Sequence, residues 1–104
     1  DLIEVSGTAA IDGSGRSLYP GDVHAQTRYT LERMAALLEC ADASLSDISA
    51  ATIFLKNGHD AQIAREVLAE CGLKSLPTVW VEADVCREEL LFEIDAEAVV
   101  PHRG

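Results

Sequence analysis

The sequence predicts an α+β fold in which two helices pack on one face of a single mixed β-sheet. Two segments carry apolar residues at helical spacing, and the segments around them are short and either β-branched or alternating between apolar and polar residues. Clusters of Gly, Pro, Ser and Asp separate these segments. The predicted order of elements is β-β-α-β-α-β-β, with all elements sharing one core.

The first predicted strand, residues 2–11, has the sequence LIEVSGTAAI. Gly7 lies in its middle, and a glycine inside a strand indicates a bend, a bulge or a close approach of the backbone. Two turn sequences, DGSGRS and YPGD, separate this strand from the first helix.

The first helix is predicted over residues 22–41. Asp22 follows Gly21 and is a typical N-cap, because its carboxylate can accept a hydrogen bond from a free backbone N–H of the first turn. From this point a stripe of residues recurs at helical spacing. Its members are Val23, Thr27, Leu31, Met34 and Leu38.

The next two elements are a central strand and a second helix. Residues 48–57, ISAATIFLKN, are rich in β-branched and aromatic residues and therefore predict a strand. The second helix begins at His59 or Asp60, as its cap, and ends at Cys71. Gly72 then occupies the position that glycine favours just after a helix.

The last two predicted strands are residues 78–85 and 90–99, which alternate between apolar and polar side chains. An antiparallel hairpin that turns near Glu88 would place residues 84–86 across from 91–93. Because the helices cover one face of the sheet, the other face is left to water or to another subunit. The residues expected on that second face are Trp80 and four acids, Glu82, Asp84, Glu93 and Asp95.

Length and composition predict one domain. The chain has 104 residues, of which 48% are hydrophobic and 25% charged, as in ordinary globular proteins. Residues 1–104 are therefore expected to form a single domain. The chain begins with Asp1 on an apolar strand, which is compatible with a fragment or one domain of a longer protein. A chain this short buries only about two-thirds of its unfolded surface, so a partner subunit is expected to cover any remaining apolar face.

The charge balance excludes several classes of partner. A net charge of −10 without a cluster of Lys and Arg argues against nucleic acid. No segment has the 18 or so apolar residues that a membrane span needs, so a cytoplasmic protein is expected. Three cysteines without C-x-x-C spacing suit reduced thiols, and three distant histidines give no metal site. No cofactor is predicted.

The segment 82–99 concentrates carboxylates on the last two predicted strands. Three explanations are open: a solvated face, a subunit interface or a small-molecule site. Because the helices occupy one side of the sheet, an interface on the other side explains the acids better than a solvated face does.

Three stretches resemble the RidA/YjgF family, also known as the endoribonuclease L-PSP family. They are VSGTAAI (5–11), GDVHAQTRYTLERMAALLE (21–39) and LLFEIDAEAV (90–99). The resemblance covers essentially the whole chain and implies a homotrimer with helices outside and small-molecule clefts between adjacent subunits. The endoribonuclease label is a weak guide to activity, because a domain with a net charge of −10 would repel RNA.

One motif of the family is altered. Family members that act as enamine or imine deaminases carry a P-A-R motif whose arginine binds the substrate carboxylate. Here the corresponding residues 76–79 are LPTV, so that Thr78 or Val79 stands in place of the arginine. The deaminase hypothesis therefore loses its expected substrate anchor.

Other stretches, GTAAI, PGDVHAQT and ADVCREELLFEIDA, are more similar to the C-terminal domain of chorismatases. That resemblance implies that Glu93 donates a proton and that Cys86, seven residues earlier, lines the pocket. The alternatives are that Glu93 is a structural acid at an interface and Cys86 a small buried residue. Arg87 either binds a substrate carboxylate or offsets the charge of the two glutamates that follow it.

Five further residues are candidates for substrate binding. The backbone of Ser6, Gly7 and Thr8 could bind an anion, although a plain bulge also explains Gly7. Phe54 ends a central strand where the family places cleft residues. Trp80 either closes an apolar side of the cleft or, as we prefer, packs at the trimer axis.

The sequence thus leaves three hypotheses for function. The first is chorismatase-like binding or hydrolysis of a small carboxylated metabolite, with Glu93 as the catalytic acid. The second is hydrolysis of an enamine or imine, as in RidA. The third is a non-catalytic ligand-binding or assembly domain, which the missing arginine favours.

Overall fold

A computed structural model describes residues 2–84 and 88–100 of the chain. These residues form four strands and two α-helices, with short 3₁₀ turns before the second strand and the second helix. The strands are β1 (Leu2–Ala9), β2 (Ile48–Leu55), β3 (Thr78–Glu82) and β4 (Phe92–Val99), and the helices are α1 (Val23–Glu39) and α2 (Ala61–Glu70).

The four strands form one mixed sheet in the order β1-β4-β2-β3. Strand β4 pairs antiparallel with both β1 and β2, whereas β2 and β3 are parallel and joined through α2. Helix α2 supplies the crossover that a parallel pair requires. A mixed sheet with two helices confirms the predicted fold class.

The predicted hairpin between the last two strands is wrong. Strand β3 pairs with β2, and β2 separates it from β4. The backbone N–H of Ala83 donates to the carbonyl of Leu55 at 3.0 Å, and the N–H of Lys56 donates to the carbonyl of Leu91 at 3.2 Å. The chain on both sides of the connection therefore meets the end of β2. Asp84 is not paired with residues 91–93, and the rest of the predicted pairing segment, residues 85 and 86, lies outside the described residues.

The predicted order has two strands before the first helix, whereas the structure has one, β1, followed by an isolated bridge between Ile11 and Ser17. The Asp12 side chain holds the turn between them, because one of its oxygens accepts hydrogen bonds from the backbone N–H of Ser14 and of Arg16. These bonds also lower the pKa of the Asp12 carboxyl, with the Ser14 hydroxyl as the largest cause. The residues between Ile11 and Ser17 form this turn and therefore do not extend a strand.

Two of the predicted helix ends are confirmed. The carboxylate of Asp22 accepts a hydrogen bond from the N–H of Ala25 at 3.0 Å, which caps α1. Gly72 has a φ of +80°, and the N–H of Leu73 donates to the carbonyl of Leu68 at 2.8 Å, as in a Schellman motif. Asp60 precedes α2, but its side chain makes no capping hydrogen bond.

The helices cover one face of the sheet, where the core lies. Phe92 and Ile94 of β4 and Ile53 of β2 are completely buried there. Trp80 pairs with Ile53 in register and therefore lies on this helix-covered face, together with Glu82. The prediction that both residues lie on the opposite face is wrong. The alternation of side chains along β3 is confirmed. Which of the two sets of side chains faces the helices is decided by the parallel pairing with β2, and the sequence of β3 alone does not determine that pairing.

Among the described residues, neither helix has the length and apolar character needed to traverse a lipid bilayer.

Candidate functional site

The face of the sheet that the helices leave open is divided into an acidic half and an apolar half. Four carboxylates lie on its β1 and β4 strands, and they alternate with core residues along those strands. The carboxylates are Glu4, Glu93, Asp95 and Glu97. The apolar half belongs to β2 and β3 and includes Ala50, Phe54, Val79 and Val81. We call this surface the open face.

Glu93 lies on the open face near the beginning of β4, an interior strand of the sheet. Its neighbours across the two adjacent strands are Ala9 on β1 and Phe54 on β2. The residues before and after it, Phe92 and Ile94, are completely buried in the core, and Glu93 itself is half-buried. The backbone that carries this carboxyl group is therefore fixed by two ladders and by core packing.

The strand β1 is irregular beside Glu93. The pairing of β1 with β4 shifts between Val5 and Thr8, so Ser6 and Gly7 form the predicted bulge. Thr8 pairs with Ile94 and is buried, which places its side chain on the helix-covered side. The bulge is confirmed, whereas anion binding by these backbone groups stays a prediction.

The open face carries a concavity of about 720 Å³. Three carboxylates, Glu4, Asp95 and Glu97, lie along it, opposite Thr52 and Val79. None of the four described strands contains a Lys or Arg residue. A carboxylate ligand on this face would therefore need a cation from outside these strands.

Large apolar side chains are exposed on the same face. Leu2 and Val99 form a cross-strand pair at the end of the acidic half and are 61% and 55% exposed, and Val79 of the apolar half is 62% exposed. An exposed apolar surface rimmed by polar groups is typical of a surface that a protein partner covers.

A second concavity, of about 570 Å³, lies on the helix-covered side, between α2 and the edge strand β3. We call it the edge groove. Its floor includes Leu68, Leu73 and Trp80, and its walls carry Arg65 and Lys74. The Arg65 guanidinium lies over the Trp80 ring, with its central carbon 4.6 Å from the ring centroid. This distance is that of a cation–π contact.

The segment before β4 is held by side chains from other elements. Lys56 donates from Nζ to the carbonyl of Glu88 at 2.6 Å. The hydroxyl of Ser17 donates to the Glu89 carboxylate at 2.8 Å. Cys86 and Arg87, both predicted for the site, lie outside the described residues.

Gln26 is the residue of this region that sequence reasoning missed. It is completely buried in α1, and its side-chain N–H₂ group donates to the carbonyls of Leu18, Tyr19 and Glu89. Its side-chain oxygen accepts from the N–H of Leu91 at 2.8 Å. The sequence could have indicated this role, because position 26 falls on the buried stripe of α1, and a buried polar side chain needs a hydrogen-bond partner.

The structure thus brings some predicted residues together and separates others. Glu93 and Phe54 are neighbours on the open face, beside the bulge at Ser6 and Gly7. Trp80 lies on the other side of the sheet, in the edge groove, so one protomer cannot present Trp80 and Glu93 to the same small molecule. Within the described ranges, no group of three or more His, Cys, Asp or Glu side chains is arranged to hold a metal ion.

Comparison with known proteins identifies relatives over nearly the whole chain. A family model described as Endoribonuclease L-PSP matches residues 1–100. A RutC family protein of Pyrococcus horikoshii is 37% identical over 99 residues, which cover 94% of this chain and 79% of that protein. The 3-aminoacrylate deaminase RutC of Acinetobacter baylyi is 31% identical over 101 residues, covering 96% and 80%.

Among solved structures, E. coli TdcF with bound serine superposes with a TM-score of 0.81 at 26% identity. The superposition covers 96% of this chain and 81% of the TdcF chain.

Proposed function

The chain belongs to the endoribonuclease L-PSP family, which is the RidA/YjgF family, and on that premise we propose that it hydrolyses a small carboxylated enamine or imine. The observation that carries the proposal is the position of Glu93, a half-buried carboxyl on a central strand beside Phe54. A relative with 31% identity is named as a 3-aminoacrylate deaminase, and 3-aminoacrylate is an enamine with a carboxylate. TdcF, whose structure holds serine, supports a ligand of similar size.

The proposed reaction needs one group that can both give and accept a proton. Hydrolysis of an enamine begins when a proton is added to its carbon, which produces an iminium ion. Water then adds to the iminium carbon and loses a proton, which gives a carbinolamine. Its nitrogen is protonated, and the carbon–nitrogen bond breaks to release ammonia while the hydroxyl group loses its proton and becomes a carbonyl. Glu93 would donate the first proton as a carboxylic acid and take the proton of the attacking water as a carboxylate.

We propose that the site lies between subunits of a cytoplasmic homotrimer in which residues 1–104 of each chain form one domain. The exposed apolar side chains Leu2, Val79 and Val99 support burial of the open face against a second copy. Because Glu93 and Trp80 lie on opposite sides of one sheet, a ligand that contacts both would need two protomers. Cys86 and Arg87 are proposed to line the same cleft.

The test is turnover of 2-iminobutyrate and of 3-aminoacrylate, measured as ammonia release. We expect Glu93→Gln to lower kcat about 10²- to 10⁴-fold, the range for loss of a general acid–base group. Glu97→Gln is the matched control, because Glu97 lies on the same strand and the same face. The proposal fails if the wild type turns over neither compound, or if Glu93→Gln is as active as Glu97→Gln.

Chorismate is tested as a third substrate, by release of pyruvate instead of ammonia, because chorismatase-like hydrolysis stays a prediction from sequence. The non-catalytic hypothesis has one observation in its favour. No arginine stands at position 78 or 79, and the described strands carry no cation at all. Binding of 2-oxobutyrate without turnover of any of the three substrates would favour a ligand-binding domain over an enzyme.

A further inference from the structure

The cations of this acidic protein are few, and three of the six described Lys and Arg residues already have hydrogen-bonded partners. Arg28 forms an ion pair with α2, Arg33 donates to a main-chain oxygen after β1, and Lys56 donates to a main-chain oxygen before β4. Arg16 lies in an exposed turn. The remaining two described cations, Arg65 and Lys74, line the edge groove together.

The edge groove combines positive charge with an apolar floor. Arg65 and Lys74 are exposed, whereas Leu68 and Leu73 below them are buried and Trp80 is half-buried. Within the described residues, neither cation forms a salt bridge with a carboxylate. Glu66, the acid on the same wall, accepts a hydrogen bond from the neighbouring Gln62.

The contact with Trp80 restricts the Arg65 side chain. A guanidinium whose central carbon lies over an indole keeps N–H donors that can bind a carboxylate through two parallel hydrogen bonds. Thr78, one of the two residues that stand where the family motif has its arginine, lines both this groove and the concavity of the open face, which also includes Val79. A cation is therefore available in this groove, although it comes from α2 and not from β3.

We propose that Arg65, held over Trp80, binds the substrate carboxylate in place of the arginine that is missing at position 78 or 79. Lys74 adds a second positive charge, and Trp80 contacts the short apolar part of the same molecule. This inference rests on the proposed function, because it names the specificity-determining residue of that site. The ligand class is a small monocarboxylate with a short apolar body.

The experiment uses the full chain and the fluorescence of Trp80, which is the sole tryptophan in the sequence. Isobutyrate is the probe, because it is unreactive and does not absorb in the tryptophan region. We expect a saturable fluorescence change with isobutyrate and none with isobutyramide, its neutral analogue. Arg65→Gln is expected to weaken isobutyrate binding about 10- to 100-fold, as for loss of a charged hydrogen bond.

Three variants serve as controls. Arg65→Lys keeps the charge but loses the planar fork, so it should bind with intermediate affinity. Lys74→Gln should weaken binding at most about fivefold, as for an exposed ionic contact. Arg16→Gln removes an equal charge from a distant turn and should leave binding unchanged. The proposal is overturned if Arg65→Gln binds like Arg16→Gln, if the wild type shows no saturable change, or if inorganic phosphate binds as strongly as isobutyrate.

Failure of this inference is distinguishable from failure of the proposed function. Binding of isobutyrate that depends on Arg65, in a protein that hydrolyses no enamine or imine, would keep the inference and reject catalysis. Hydrolysis whose KM is unchanged in Arg65→Gln would keep catalysis and reject the inference.

Discussion

Replacement of Gln26 by Met should destabilise the protein by several kcal/mol. Gln26 is completely buried, and its carboxamide hydrogen-bonds the carbonyls of Leu18, Tyr19 and Glu89 and the N–H of Leu91. Methionine has a similar shape but would leave these backbone groups without their partner. The carbonyls of Leu18 and Tyr19 lie in a loop and can form hydrogen bonds with water instead. The larger loss of stability therefore comes from the carbonyl of Glu89 and the N–H of Leu91, just before β4.

Leaving a buried polar group unsatisfied costs about 1–3 kcal/mol, so two such groups predict a loss of about 2–6 kcal/mol. For a domain of this size that loss lowers Tm by about 8–48 °C. The change in Tm is measured by thermal unfolding followed by circular dichroism. The protomer concentration is kept fixed, because oligomers are stabilised by mass action. Gln62→Met is the matched control, since Gln62 is exposed on α2 and should change stability by less than about 0.5 kcal/mol. Equal Tm values for the two variants would refute the reasoning.

Two further predictions concern α2 and its end. Gly72→Ala should lower the free energy of unfolding by about 1 kcal/mol, because alanine disfavours the φ of +80° at that position even though a Cβ would meet no atom within 4 Å. Gly13→Ala is the control, since Gly13 is equally open but has no positive φ, and it should be nearly neutral in the thermal denaturation assay. Equal losses of stability in the two variants would show that the backbone conformation of Gly72 is not the cause. Burial raises the pKa of the Cys71 thiol, an effect that Arg28 opposes. Because the folded state favours the protonated thiol, this contribution to stability is complete below the ordinary thiol pKa and is lost as pH rises through the raised value. Peptide mapping after iodoacetamide treatment should therefore show slower alkylation of Cys71 than of the exposed Cys40. Alkylation of Cys71 should be slower still in Arg28→Gln, because the variant lacks the charge that opposes the rise of the thiol pKa. Alkylation of Cys71 that is faster than that of Cys40, or faster in the variant than in the wild type, would contradict this.

Features that depend on neighbouring residues were predictable from sequence. Asp22 caps α1 and Gly72 ends α2 because each acts on backbone groups within a few residues of itself. The bulge at Gly7 belongs to the same class, since glycine inside a strand relaxes the backbone locally. The acids of β4 alternate with buried apolar residues, so their common face could also be predicted.

Features that depend on pairing were not predictable in the same way. Alternation along β3 gives a period of two but no phase, and only the register of Trp80 with Ile53 places the indole under the helices. Similarly, the order of strands separates β3 from β4, which no local pattern of either strand records. Arg65 was missed because an exposed cation on a helix is ordinary until Trp80 is found beneath it.

Subunit complementation tests whether one site is shared by two protomers. Glu93→Gln and Arg65→Gln chains, each impaired alone, are co-expressed in equal amounts, and hydrolysis of the enamine substrate is measured on the mixed oligomers. Random assembly gives about a quarter of the clefts an intact Arg65 from one chain and an intact Glu93 from the next. We therefore predict recovery of about a quarter of wild-type activity. Mixed oligomers that are no more active than the average of the two parent variants would contradict the account.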